Sequence, residues 1–287
     1  SVLDRKKAIR ELINQYPNRP IIGNLVFGSK SGIKDDLDII DEFTDGVMWV
    51  VDMCQFRTDR KLIHNLINKG VMVMVTGSKF YQAPPFCGAL LVPKVWSNLM
   101  KDLPADAASG LSQLFCSSDI PLAMPNIRMH LKDFKNQGLR MRWEIALREM
   151  EEYMSFDSSE TNALIRRWSQ VIIGRLAMSD TFRLMPDIEL TNDSIVSFMV
   201  LVNGRALVSK ELKKLFNELI LNKHEGLVDF DRAFIGQPVQ YGEKSFIRLA
   251  IGSYSIRKQM ENKKFDTRND IRLIEIIEEH VTKIFAS

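Results

Sequence analysis

Between Ile21 and Pro93 short apolar runs recur along the chain: IIGNLVF, GVMWVVD, GVMVMVTG and GALLVP. The second and third flank a stretch of helical spacing around Lys61 to Asn68. Runs that are apolar nearly throughout, rather than at alternate positions, predict strands buried on both faces, as in a largely parallel α/β sheet. In such a sheet functional groups collect at the carboxyl ends of the strands. The opening segment, SVLDRKKAIRELINQYPNRP, mixes charged and apolar residues at helical spacing, unlike a signal peptide.

After Pro93 the pattern becomes helical. Helices are predicted near Ala105 to Phe115, from Gly138 to Met154 with Leu139, Trp143, Leu147 and Met150 on one face, and from Asp157 to about Met178. Asp157 is placed to cap the last of these, with Glu160 at the capping-box position. The final third reads as α+β, with strands near Ile195 to Val202, Ala233 to Val239 and Ser245 to Gly252, a helix capped by Ser209, and a terminal helix from about Thr267. The expected division is a first domain over 1–155 and a small α+β domain over 156–287.

Composition narrows the function classes. The net charge of +3 comes from 39 basic and 36 acidic residues, interspersed rather than gathered in a basic stripe, so neither a nucleic-acid nor a membrane surface is expected. No apolar run reaches the roughly 18 residues that a membrane span requires. Cys54, Cys87 and Cys116 form neither a disulfide framework nor a zinc-ligand spacing, which points to a reducing, cytoplasmic setting without metal. Cys54 and Cys87 read as small buried groups, Cys116 as exposed, and His64, His130, His224 and His280 as surface residues. Trp143 and Tyr153 read as packing residues.

The sharpest chemical signal is VVDMCQ, Val50 to Gln55, followed by VMVMVTGSKF, Val71 to Phe80. Each is an apolar strand ending in polar groups, and adjacent parallel strands would bring Asp52 and Lys79, 27 positions apart, to one sheet edge. An amine that captures a carbonyl and a carboxylate that keeps a pyridine nitrogen protonated are what pyridoxal-phosphate (PLP) chemistry needs. Gln55 is then placed to hydrogen-bond the cofactor's phenolic oxygen, and Thr76 and Ser78 to donate to its phosphate.

This order of motifs resembles the class V aminotransferase and cysteine desulfurase family of fold type I PLP enzymes. There, a D-x-x-Q strand precedes a strand that ends in a small hydroxyl or His residue and then the Schiff-base lysine. APPFCGALLVP, Ala83 to Pro93, resembles the turn and return strand that follow that lysine, and FGSKSGI, Phe27 to Ile33, resembles the loop before the D-x-x-Q strand. Ser29 stands where the family often has an asparagine facing the cofactor. Lys30, in a second GSK, precedes the aspartate and so departs from the pattern that Lys79 fits. SFIRLAIGS, Ser245 to Ser253, resembles the strand whose arginine grips the substrate α-carboxylate, which assigns that role to Arg248.

The resemblance implies an α/β fold, with residues 1–155 as part of the PLP-transferase large domain and 156–287 as its small domain. It also implies a homodimer acting on a small amino-group substrate by an aminotransferase-like reaction. No cysteine follows Cys116, which argues against desulfurase chemistry and leaves lyase or decarboxylase chemistry open. A non-catalytic module that keeps the fold for binding or scaffolding is the alternative from another class. Only 51 residues precede Asp52, fewer than in the family, so the rest is expected upstream, on the same precursor or on another chain.

Overall fold

The computed structural model describes residues 2–96, 106, 109–185, 190, 192–227 and 235–285. They form two units, one of residues 1–27 and 34–148, the other of residues 28–33 and 149–287.

The first unit begins with helix α1 (Val2–Gln15) and strand β1 (Ile21–Val26), followed by α2 (Asp38–Glu42), β2 (Val47–Asp52), α3 (Arg60–Asn68), β3 (Met72–Thr76) and β4 (Gly88–Leu91). The sheet order is β1-β2-β3-β4, with the first three strands parallel and β4 antiparallel to β3. Leu25, Trp49, Val51, Val73, Val75 and the helix residues Ile40, Ile63 and Leu66 make its core. The expectation of burial on both faces holds for β3; β2 alternates buried with half-buried positions, and the outer strands depart further, with Ile22 of β1 65% exposed and Leu90 of β4 50% exposed. Edge strands have a neighbour on one side alone, so their outward residues stay wet. Trp49 fills the space above its partner Gly23, where a Cβ would sit 2.4 Å from the indole ring, and its Nε1 donates to the Phe43 carbonyl at 3.0 Å.

A helix was expected over Ala105 to Phe115; residues 109–114 form turns instead, and 105, 107 and 108 lie outside the described residues. Cys116, expected at the surface, is 1% exposed and places its sulfur 3.0 Å from an Asp119 carboxylate oxygen. The short α4 (Pro125–Met129) leads to α5 (Gln137–Met154), within which the two units divide.

In the second unit, α6 (Ser158–Ala177) starts as expected on Asp157, whose carboxylate accepts the Ser159 and Glu160 amide protons at 2.8 and 3.3 Å. Strands β5 (Phe182–Leu184), β6 (Ile195–Val202), β8 (Gly236–Tyr241) and β9 (Lys244–Ala250) form an antiparallel sheet in the order β5-β6-β9-β8, with β7 (Arg205–Ala206) beside β6. Ala233 and Phe234, expected to open β8, lie outside the described residues. Helix α7 (Ser209–Leu221) is not capped by Ser209, which is its first helical residue; the Val208 amide is held by the Glu211 carboxylate at 2.9 Å. Helices α8 (Ser253–Glu261) and α9 (Arg268–Phe285) complete the unit, with Trp168, Ile172, Phe198, Phe246, Leu215 and Ile277 fully buried. His224, expected at the surface, is buried beside His280, and its Nε2 lies 2.7 Å from the Leu219 carbonyl.

Asp270, in the first turn of α9, has its carboxyl pushed up to about 6 by burial. The buried Trp168 indole N–H lies nearby without closing a full hydrogen bond, and offsets that cost only in part. Since the folded protein binds this proton more tightly than the unfolded chain, stability should fall as pH rises from about 4 to about 6 and then level off. Asp270→Asn is expected to stabilise the protein by about 2 kcal/mol above pH 7 and to flatten that slope. Urea unfolding at pH 4.5 and 7.5 checks it; an unchanged slope would refute the assignment.

Candidate active site and its relatives

Backbone register brings the predicted pair together. Parallel pairing sets Asp52 opposite Met74, so both strands run out at the same sheet edge, Asp52 ending β2 and Lys79 lying three residues beyond the end of β3. Asp52 is half-buried and Lys79 exposed. The Asp52 Oδ1 accepts the Cys54 amide at 2.9 Å, which curls the chain back over the strand end. The Cys54 thiol reports on both groups: it is pushed up to about 12 by burial first and then by the Asp52 hydrogen bond and charge, against the opposing pull of the Lys79 ammonium. One sulfur therefore lies in the field of the carboxylate and of the amine.

Around this pair the loops are fixed by contacts that the sequence patterns did not reveal. Phe56 and Tyr81 meet edge to face at 5.3 Å, Phe80 and Tyr81 at 5.2 Å, and the Arg57 guanidinium covers the Phe80 ring at 5.1 Å. The turn after Asp52 is thus joined to the turn after Lys79. Phe56, Gln82 and Phe86 hold left-handed backbone, with φ of 52°, 53° and 64°. Such conformations are sparsely populated for side-chain-bearing residues and concentrate where the surroundings impose them. Gly77, between Thr76 and Ser78, packs so closely on Ala146 of α5 that a Cβ would come within 2.4 Å of the alanine methyl.

The polar candidates differ in what they have left to offer. The Thr76 hydroxyl donates to the Cys87 carbonyl at 2.5 Å and accepts the Ser78 amide at 3.2 Å, so its one proton is committed. Ser78 Oγ lies 2.9 Å from Thr76 Oγ1 and can rotate toward an incoming anion. The Gln55 carbonyl oxygen accepts loosely from Arg57 at 3.5 Å, which leaves its amide as the donor end. These residues all belong to the first unit. Ser29 and Lys30 belong to the segment that joins the second unit, where Ser29 is bonded to Ser31 and Tyr241.

Arg248 also belongs to the second unit. It sits opposite Gly236 and Ser197 on neighbouring strands. Its side chain crosses β8 where Gly236 leaves room: a Cβ there would lie 2.4 Å from the arginine Cγ. The guanidinium donates to the Gln237 carbonyl at 2.7 Å and pairs with no carboxylate among the described residues. Burial lowers its proton affinity, with the Tyr241 phenol acting in the opposite direction. Ser197 Oγ, beside the arginine stem, is buried and has no hydrogen-bond partner among the described residues. Among the described residues no three His, Cys, Asp or Glu side chains gather to hold a metal, and no helix is long and apolar enough to cross a membrane.

This architecture is the α/β fold of PLP-dependent transferases of fold type I. Among solved structures, the tryptophan decarboxylase of Catharanthus roseus in complex with L-tryptophan is 15% identical and superposes with a TM-score of 0.61, over 99% of this chain and 54% of that one. The 4-hydroxyphenylacetaldehyde synthase of Rhodiola rosea is 16% identical, with a TM-score of 0.56 over 98% and 53%. Oryza sativa TDC with PLP is 14% identical, with a TM-score of 0.52 over 97% and 51%. The chain spans about half the length of these structures. No protein-family model and no curated protein matches it in sequence.

Proposed function

We propose that this chain is the lysine-bearing part of a PLP-dependent enzyme that acts at the α-carbon of an amino acid. The observation that carries the reading is the delivery of Asp52 and Lys79 to one sheet edge by adjacent parallel strands. The residues present suit the cofactor: an exposed amine, a half-buried carboxylate and the rotatable Ser78 hydroxyl stand on joined turns. PLP, when bound, supplies an aldehyde that captures amines and a ring that accepts electrons.

Lys79 would hold the cofactor and would move a proton at the substrate α-carbon. Asp52 would keep the ring nitrogen protonated, Gln55 would donate to the phenolic oxygen and Ser78 would bind phosphate, with Thr76 accepting the Ser78 amide and so orienting it. Arg248 of the second unit grips the substrate carboxylate. The whole protein works as a cytoplasmic homodimer.

The order of motifs favours transamination of the class V type. Decarboxylation is the second reading, favoured by the decarboxylases among the solved structures of this fold with TM-scores above 0.5. A keto acid product supports the first and released carbon dioxide the second. Adding PLP and then borohydride to the protein should place a stable pyridoxyl group on Lys79, found by peptide mass spectrometry and lost in Lys79→Ala. A label distributed over surface lysines, or none, would overturn the enzyme reading in favour of a binding module.

A further inference from the structure

The GSKSGI segment, Gly28 to Ile33, leaves the first unit for six residues and lies on one face of the second unit's sheet. That face is defined by register. Arg248 stands opposite Ser197 and Gly236, Ala250 opposite Ile195, Phe246 opposite Val239, and Lys244 opposite Tyr241. Directly opposed residues of antiparallel strands, and every second residue along one strand, share a face.

The segment is pinned on both sides of the Arg248 row. On one side Gly32 packs against Ile195, to which a Cβ would come within 3.6 Å, and Ile33 bridges to Leu190. On the other, three hydroxyls meet: Ser31 Oγ lies 2.9 Å from the Tyr241 phenol, Ser29 Oγ 3.3 Å from it, and the two serines 3.0 Å from each other. Ser31 is fully buried, and the Tyr241 ring rests edge-on against Phe246 at 5.3 Å. Gly28 and Gly32, with φ of 91° and 83°, give the segment the left-handed turns it needs to fold back on itself. The Ser29 amide closes it by donating to the Ile33 carbonyl at 2.8 Å.

We propose that Tyr241 is a positioning residue whose phenol, held by Ser29 and Ser31, latches residues 28–33 as a strap over the sheet row that carries Arg248, and so sets how a substrate carboxylate reaches that guanidinium. The carboxylate role rests on the assignment of Arg248 above; the latch rests on the hydroxyl cluster and the two anchor points. Ser29 accordingly serves the strap rather than the cofactor.

The test reads Arg248 directly. Phenylglyoxal condenses with guanidinium groups, and peptide mass spectrometry follows each arginine separately. Loss of hydrogen bonds worth about 1 kcal/mol is expected to speed modification of Arg248 about fivefold in Tyr241→Phe, which keeps the ring on Phe246, and similarly in Ser31→Ala. Arg175 and Arg257, held by carboxylates elsewhere in the unit, serve as references and should keep their rates. An Arg248 rate that matches the parent in both variants, or equal acceleration of all three arginines, would overturn the latch. Acetate should slow the modification of Arg248 in the parent. Failure of acetate to protect, with the acceleration intact, overturns the carboxylate assignment and not the latch; protection without acceleration does the reverse.

Discussion

Gly77→Ala is expected to cost about 3 kcal/mol of stability and to displace the turn that presents Lys79. The new methyl would lie 2.4 Å from the Ala146 Cβ and 3.1 Å from the Cys87 sulfur, far inside contact distance. Neither neighbour can yield easily, because Ala146 is fully buried on α5 and Cys87 is fixed by its carbonyl, which accepts both the Gly77 amide at 2.9 Å and the Thr76 hydroxyl. Room has to come from the strand end itself. Ala146→Gly in the same chain removes the obstructing methyl, so the double variant should recover most of the loss, less about 1 kcal/mol for a helical glycine. Denaturant unfolding of the two single variants and the double variant checks this. Additive losses would show that crowding at Ala146 is not the cause.

Arg257→Ala is expected to cost about 3 kcal/mol through the ion pair that fastens α8. The arginine side chain is 10% exposed and Glu149 12%, and they meet at 2.9 Å, with Ser253 Oγ donating to the same carboxylate at 2.8 Å. Glu152 and Glu261 approach the guanidinium at 3.1 and 2.6 Å, and these carboxylates hold its proton more tightly than usual. Truncating the arginine leaves Glu149 charged in a site that water hardly reaches. Arg257→Met with Glu149→Met should cost less than Arg257→Ala alone, since neither partner is then left charged. The exposed pair Arg140 to Glu144, 68% and 58% exposed, should by contrast be lost almost silently. Urea midpoints at low and high salt separate the two cases.

Much of the first unit was legible in the chain because its strands carry continuous apolar runs, and a run such as VMVMV has few alternatives to a buried strand. The shared sheet edge of Asp52 and Lys79 was legible through the strand ends that bear them. The outer strands misled for the same reason: IIGNLV reads like an inner strand, and the sequence does not record which strand lacks a neighbour. Tyr241, Ser31 and the Phe56 to Tyr81 contact left no periodic signal, since each joins residues far apart in the chain through a single ring or hydroxyl. His224 and Cys116 were misplaced because charged and polar neighbours in sequence hid the fact that their own side chains turn inward.

The left-handed Phe56 bears on how the edge that carries Asp52 and Lys79 orders. A phenylalanine gains little from this backbone state by itself, and the contact with Tyr81, 25 positions along, is what makes it worthwhile. Gln82, next to Tyr81, is in the same situation. Neither turn can settle while the other is loose, so the two should freeze and melt as one cooperative element. Amide exchange in the turn after Asp52 and in the turn after Lys79 should then report a single opening free energy, and weakening either ring should accelerate exchange in both.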